Sequence, residues 1–324
     1  MFTRRAFSMS AAAAVLTGGS ARAQGTFATQ NIRLVVGYPA GGGVDIVARL
    51  VAQRLSEKWG QQVVVDNRTG ATGIIGTDLA AHATPDGYTL LMGNAATHAV
   101  NVSLFKKLPY DAIRDFVPIT LVGRVPEMLV VHPALPASSV QELIALAKSK
   151  PGELTFGSAG SGSPPHLAGE LFQSLAKIRL VHIPYKGSAP ALTDLIAGQI
   201  NMYFSNILSA VPYVKGGRLR GLGVTSAKRS VVAPDIPAIA EAGLPGYEDY
   251  NWYGVLAPKG TPKAIVDKLH TDIVHVVKST DVEDRLTKDG AEVIANTPAE
   301  FAKFIREEIQ KYAQIIKQSG LRTE

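Results

Sequence analysis

A chain of 324 residues that is 46% hydrophobic and 19% charged is long enough for two ordinary domains and has a globular composition, which excludes a disordered class. The absence of cysteine excludes a disulfide framework, a thiolate metal site, a cysteine nucleophile and a lipid-modified cysteine anchor. The formal charge of +6 falls to +3 when Arg4, Arg5 and Arg22 leave with an acid-free leader, and no basic cluster interleaved with aromatics remains, so nucleic acid is not an expected partner.

Arg4 and Arg5, the apolar run from Ala11 to Leu16 and the small-x-small stretch Ala21-Arg22-Ala23 predict an export signal over residues 1–23, with the mature chain starting near Gln24. Thr3-Arg4-Arg5-Ala6-Phe7 also fits a twin-arginine motif, so the Sec and twin-arginine routes both stay open; either ends outside the cytoplasm. The apolar run is far short of the roughly 20 residues that span a bilayer, and no later segment reaches that length without charges.

Ile32-Arg33-Leu34-Val35-Val36 reads as a buried strand, and Ile46, Val47, Leu50, Val51, Leu55 and Trp59 recur at helical spacing. Between them lies Tyr38-Pro39-Ala40-Gly41-Gly42-Gly43-Val44-Asp45, a glycine turn leading into a helix start. Gln62 to Asp66 is the next expected strand, Gly73 to Ala83 a helix, and Tyr88 to Met92 a strand after the Pro85-Asp86-Gly87 turn. This alternation predicts an α/β fold, a parallel sheet covered by helices, with ligands held at the carboxyl ends of its strands. The loops there are the glycine loop, Asn67-Arg68-Thr69-Gly70, and Gly93-Asn94-Ala95-Ala96-Thr97-His98.

Apolar runs broken by prolines between Asp115 and Pro133 predict a first crossing between two lobes. A second α/β series follows: a helix at Val140 to Lys148, a strand at Thr155-Phe156, a helix from Pro164, a strand at Leu180 to Ile183, a helix at Ala189 to Ala197, and strands at Asn201 to Phe204 and Gly221 to Thr225. Asn251 to Pro258 is again β-prone. Ile265, Leu269, Ile273 and Val276, then Phe301, Phe304, Ile305, Ile309, Tyr312 and Ile316, form the apolar stripes of helices that pack back on the first lobe.

A helix start offers amides without intrahelical partners at the positive end of its dipole, which suits an anion, and glycines let that anion approach the main chain. A second loop of this kind is Ser158-Ala159-Gly160-Ser161-Gly162-Ser163, before Pro164-Pro165-His166. Two such loops facing across a cleft would clamp one small carboxylate from both sides. Neither is a nucleotide signature: the first lacks the Lys-Ser/Thr of a P-loop and the G-x-G-x-x-G spacing. Asp45 has two readings, a helix cap or a partner for a ligand's amino or hydroxyl group. His98 and His166 lie beside the loops, with ligand contact and ordinary packing both open; none of the histidines has metal spacing. Tyr185 and Lys186, Asn94, and Ser205 with Asn206 stand at strand ends within reach of the cleft. No serine has glycine two positions before and two after it, so a hydrolase elbow is absent, and neither a catalytic residue nor a cofactor is expected.

Tyr38 to Asp45, Val65-Asp66-Asn67-Arg68, Pro85-Asp86-Gly87-Tyr88-Thr89-Leu90, Gly157 to Ser163, Pro184-Tyr185-Lys186-Gly187, Val224-Thr225-Ser226-Ala227-Lys228-Arg229 and Trp252-Tyr253-Gly254 occur in this order behind a signal peptide. Together they closely resemble the periplasmic solute-binding receptors of tripartite tricarboxylate transporters, the Bug or TctC family, over nearly all of the mature chain. The resemblance implies a two-lobed type II periplasmic-binding-protein fold, with two crossing strands as hinge and a ligand cleft between lobes. It places one lobe at 24–122 plus 249–324 and the other at 123–248. It further implies a non-enzymatic, monomeric receptor that closes on a small carboxylate, held largely by main-chain groups of Tyr38 to Asp45 and Ser158 to Ser163, and that docks transiently on a membrane permease. A receptor presenting its ligand to a sensor, or a secreted enzyme acting on a small carboxylate, remains an alternative.

Overall fold

Runs such as Ile32–Val36 carry apolar side chains at successive positions, so both faces of the strand must be covered, and four of its five residues are buried. The computed structural model describes residues 28–288 and 290–319; the expected signal peptide, residues 1–23, lies outside them. The first part of the chain contains β1 (Ile32–Val36), α1 (Gly43–Trp59), β2 (Val63–Asn67), α2 (Ile74–Ala81), β3 (Thr89–Asn94), α3 (Asn101–Leu104) and β4 (Phe116–Val125). Next come β5 (Glu127–Val131), α4 (Val140–Ser149), β6 (Thr155–Ser158), α5 (Pro164–Ala176), β7 (Val181–Pro184), α6 (Ser188–Ile196), β8 (Met202–Asn206), α7 (Ile207–Lys215) and β9 (Arg220–Val224). The chain ends with β10 (Asn251–Pro258), α8 (Lys263–Val277), α9 (Thr280–Lys288), β11 (Glu292–Val293) and α10 (Pro298–Ser319).

These strands form two mixed sheets, ordered β11-β4-β10-β3-β1-β2 and β7-β6-β8-β5-β9. In the first, β1 is parallel to β2 and β3, while β10 runs antiparallel to β3 and β4. In the second, β6 is parallel to β7 and β8, and β5 runs antiparallel to β8 and β9. The same plan is thus built twice. The two apolar runs expected near Asp115 to Pro133 are β4 and β5, one in each sheet, separated by Pro126, whose missing N–H ends ladder pairing there.

Thr225 ties the two crossings together. Its N–H donates to Glu127 O at 2.8 Å, its Oγ1 accepts from the Glu127 N–H at 2.8 Å, and its carbonyl accepts from the Asp249 N–H at 2.9 Å. The last helix then closes over this junction: Tyr312 donates to Asp249 Oδ1 at 2.9 Å, and the buried Trp252 indole donates to Glu308 Oε2 at 3.0 Å while meeting Phe301 edge-on.

One expected loop is not a loop. From Ala96 to Val100 the chain forms a wide helical turn whose five residues are all buried, running directly into α3. Small and apolar side chains at Ala95, Ala96, Ala99 and Val100 let it pack into the core beside Leu91 and Trp252. The helix expected at Gly73 to Ala83 is confined to Ile74–Ala81, because Ala71, Thr72 and Gly73 all take positive φ just ahead of it.

Candidate functional site

The first loop leaves β1 and enters α1 by a turn that requires glycine: Gly41 has φ of +85°. Pro39, Ala40, Gly41 and Gly42 are exposed, whereas Gly43 sits between the two sheets, where an added Cβ would lie 2.5 Å from the hydroxyl of Tyr253, on β10 of its own sheet, and 3.2 Å from Nδ2 of Asn206, at the end of β8 in the other. Asp45, in the first turn of α1, folds back beneath the loop. Its Oδ2 accepts the Gly41 N–H at 2.9 Å and Arg49 Nε at 2.9 Å, and its Oδ1 accepts Asn67 Nδ2 at 2.8 Å. Asn67 Nδ2 also donates to the Tyr38 carbonyl at 2.9 Å. Asp45 is 2% exposed, so its carboxylate pins the glycine turn from behind; Gly42 occupies the helix-cap position itself. Burial works against its charge, but Arg49, the Gly41 amide and Asn67 outweigh it and hold the carboxyl below the usual range.

The Tyr38 hydroxyl donates to Thr72 O at 3.2 Å and approaches Asn94 Oδ1, at the end of β3, at 3.4 Å. Asn94 is buried and engaged with Thr97, whose N–H donates to Asn94 Oδ1 at 3.1 Å. His98, one of the candidate ligand contacts, is completely buried, its Nδ1 2.9 Å from Thr97 Oγ1 and its ring edge-on to Phe116 at 4.8 Å. It offers a ligand no surface, because the buried helical turn at Ala96–Val100 carries it into the core. Burial pushes its imidazole down to about 3, so it is neutral.

The second loop repeats the plan with different fastenings. Gly160 has φ of +126°. Ser161 is exposed, Ala159 and Gly160 half-buried, and Ser158, Gly162 and Ser163 buried. Ser163 Oγ donates to the Gly160 carbonyl at 2.6 Å. His166, the other candidate contact, is 2% exposed and stands behind the loop: its Nδ1 accepts the Gly162 N–H at 2.9 Å. His182, which was not among the expected site residues, reaches the same place from β7, with Nε2 2.6 Å from Ser158 Oγ. Nothing local in the sequence marks it, since the parallel register Phe156↔His182 brings it there.

Around the loops, the Tyr185 N–H donates to Ser158 O at 3.0 Å and its hydroxyl to Asp194 at 2.8 Å, while Lys186 is exposed. Ser205 is completely buried and donates to Asn206 O at 3.2 Å; Asn206 caps α7, accepting the Leu208 N–H at 3.1 Å, and faces Gly43. An added Cβ on Gly162 would lie 2.3 Å from Leu104, so each loop abuts an element that carries the other sheet or its cover. A groove of about 400 Å³ continues from Gly43 and Asn206 over Tyr253, Ile46, Leu50 and Leu286. It shares only Gly43 and Asn206 with the candidates, and Gln53, Arg54, Asp281 and Arg285 also line it.

Among the described residues, the amides of Gly42, Gly43, Ala159 and Ser161 have no acceptor, while those of Gly41, Gly160 and Gly162 are held from behind. Among those residues there is also no group of three side chains fit to hold a metal. The arrangement is two sets of free main-chain donors suited to an anion, one at the start of α1 and one in the loop before α5, whose first two residues, Pro164 and Pro165, have no N–H to give.

The family described as the tripartite tricarboxylate transporter family receptor, TctC, matches residues 47–321. Among solved structures, an R. palustris protein with adipate is 38% identical, with a TM-score of 0.86, over 92% of this chain and all (100%) of that one. The periplasmic binding protein BugD is 33% identical with a TM-score of 0.83, over 91% of this chain and 99% of its own. MatC from Rhodopseudomonas palustris with bound malate is 33% identical with a TM-score of 0.82, over 90% of this chain and 100% of MatC. With its two mixed sheets and doubled glycine loops, the chain belongs to the tripartite tricarboxylate transporter receptor family, the TctC or Bug type of solute-binding protein.

Proposed function

We propose that this protein is a periplasmic receptor that captures a small carboxylate by closing its two lobes and delivers it to a tripartite tricarboxylate-type permease. The observation that carries this reading is the pair of glycine loops, each with main-chain amides that have no acceptor, at Gly42 and Gly43 in one and at Ala159 and Ser161 in the other, and each close to the other half of the fold, Gly43 at Asn206 and Gly162 at Leu104. A carboxylate has two oxygens and takes donors from both sides, and a ligand that bridges two lobes favours the closed state by its greater affinity for it. The proteins of similar structure with adipate and malate carry dicarboxylates of this size. The lobes are taken as 24–122 plus 249–324 and 123–248, with the leader at 1–23 directing export, and Tyr185, Lys186 and Asn206 as further ligand contacts. Burial of His98 and His166 removes the histidines that a secreted enzyme would use as base, which favours binding over catalysis.

A thermal-shift panel of adipate, malate and other small carboxylates tests this reading. A ligand that binds only the folded chain at a hundred times its Kd adds about 2.7 kcal/mol of stability and raises the melting temperature. A panel in which no carboxylate moves the transition would overturn the reading.

A further inference from the structure

The second loop is fastened by two imidazoles that nothing in a carboxylate clamp requires. His166 and His182 stack with ring centroids 3.7 Å apart and planes 13° apart, and Phe156 lies against both at 6.1 and 5.0 Å. Each ring holds one amide of the loop. His166 accepts the Gly162 N–H directly, and His182 acts through Ser158, whose Oγ accepts the Gly160 N–H at 3.1 Å. The His166 contact fixes chemistry as well as position: an Nδ1 that accepts must be unprotonated, so the ring proton sits on Nε2. That Nε2 is buried without a hydrogen-bond partner, 3.6 Å from Glu170 Oε1.

We infer that His166 and His182 are positioning residues for the ligand: as a neutral stacked pair they hold the Gly160 and Gly162 amides back, leaving those of Ala159 and Ser161 for the carboxylate. A cationic ring at His166 would break the arrangement, whereas at His182 an Nε2–H could still donate to Ser158 Oγ. A proton on His166 Nδ1 would point at the Gly162 N–H, donor against donor, and two stacked cations at 3.7 Å repel. The charged groups facing the pair are Glu170 on α5 and, beyond Ser158, none on β6; Phe156 supplies an apolar wall. The inference rests on the carboxylate reading of the loop, and its test separates the two.

The test uses His166→Asn, whose side-chain oxygen stands where Nδ1 stands, His166→Leu, which has no acceptor, and the matching His182→Gln and His182→Leu. Adipate and malate are titrated by calorimetry against the full mature chain, and each variant's melting temperature is taken. Expected is a loss of about tenfold or more in affinity for each leucine variant and recovery to within about threefold for Asn and Gln. Leucine variants that bind like the parent, or Asn and Gln variants that bind no better than leucine at parental melting temperature, overturn it. Nitrogen-15 NMR of the unliganded parent gives an arm independent of ligand. His166 protonated on Nε2 with a coupling to the Gly162 amide supports the inference, and His166 protonated on Nδ1 overturns it, even where neither acid binds and the carboxylate reading itself has failed.

Discussion

The two glycine loops have one backbone plan and opposite fastenings. The first is pinned by an ionised carboxylate, Asp45, whose charge is compensated by Arg49 and whose other oxygen holds Asn67. The second is pinned by neutral rings, His166 and His182, and by the serine hydroxyls of Ser158 and Ser163. The contrast teaches that a binding loop built from main chain needs acceptors behind it to orient its donors in front, and that the chemical type of acceptor is free to differ. Its type decides how each half responds to acid and to substitution.

The largest expected effect comes from filling the front of the first loop. Gly42 is extended, with φ of −78° and ψ of 165°, and an added Cβ meets nothing nearer than Pro39 O at 3.8 Å. Gly42→Val is therefore expected to fold normally while its branched side chain covers the free amides of Gly42 and Gly43. Affinity for adipate or malate should fall by more than about a hundredfold, since two charge-assisted hydrogen bonds are lost at about 1.5–3 kcal/mol each. Unaltered binding by calorimetry would remove the first loop from the site. Gly41→Val makes the control for backbone strain: at φ of +85° it should lower the melting temperature as well.

The two glycine loops were readable from glycine spacing, because a strand, a flexible turn and a helix start leave marks within about ten residues of sequence. Two α/β series and a proline-broken crossing were readable for the same reason. What stands behind the loops was not. His98 and His166 look alike in sequence, each a few residues past a strand end, and only packing separates them: one lies against Phe116 in the core, the other beneath Gly162. His182 is 24 residues from Ser158 and meets it through a parallel strand pairing that no periodicity encodes. The inward turn of Asp45 likewise depends on Asn67, at the end of a neighbouring strand.

Removing the fastening of the first loop should cost less affinity than blocking its front, and more stability. Asp45→Ala leaves the Gly41 amide without its acceptor and Asn67 Nδ2 with only the Tyr38 carbonyl, an expected loss of about 2–3 kcal/mol by chemical denaturation together with about tenfold weaker binding. Stability equal to the parent's would mean that the loop is held otherwise. Acid separates the two loops. Asp45 is held below its unfolded value, so its contribution is present above about pH 3.9 and drains only as pH falls through its folded pKa. His182 is pushed down to about 3 by burial and by His166, so the unfolded chain takes up that proton first and stability declines from about pH 6.5 downwards. His182→Gln should therefore flatten the stability curve between about pH 6.5 and 5, a range in which Asp45→Ala leaves its slope nearly unchanged.

The smallest effect belongs to a buried carboxyl that has no cation of its own. Glu127 follows the crossing at Pro126, is 2% exposed, and its Oε2 has no hydrogen-bond partner. Burial and the neighbouring Asp249 hold its pKa well above the ordinary value, the reverse of Asp45. Tyr203, Tyr247, Tyr253 and Tyr312 also feel its charge, and the nearby cation Lys311 is engaged with Asp249 and Glu308. Because the folded chain keeps the Glu127 proton while the unfolded chain releases it above about pH 4.3, this residue costs stability as pH rises, where Asp45 costs it as pH falls. Glu127→Gln keeps the shape and removes the titration. Its advantage over the parent should be near zero at pH 4 and grow steadily as pH rises above about 4.3, read by chemical denaturation from pH 4 to 8. A difference that stays constant with pH would show that the carboxyl is ionised in the folded chain, and that the crossing, like the first loop, is held by a charge with a partner.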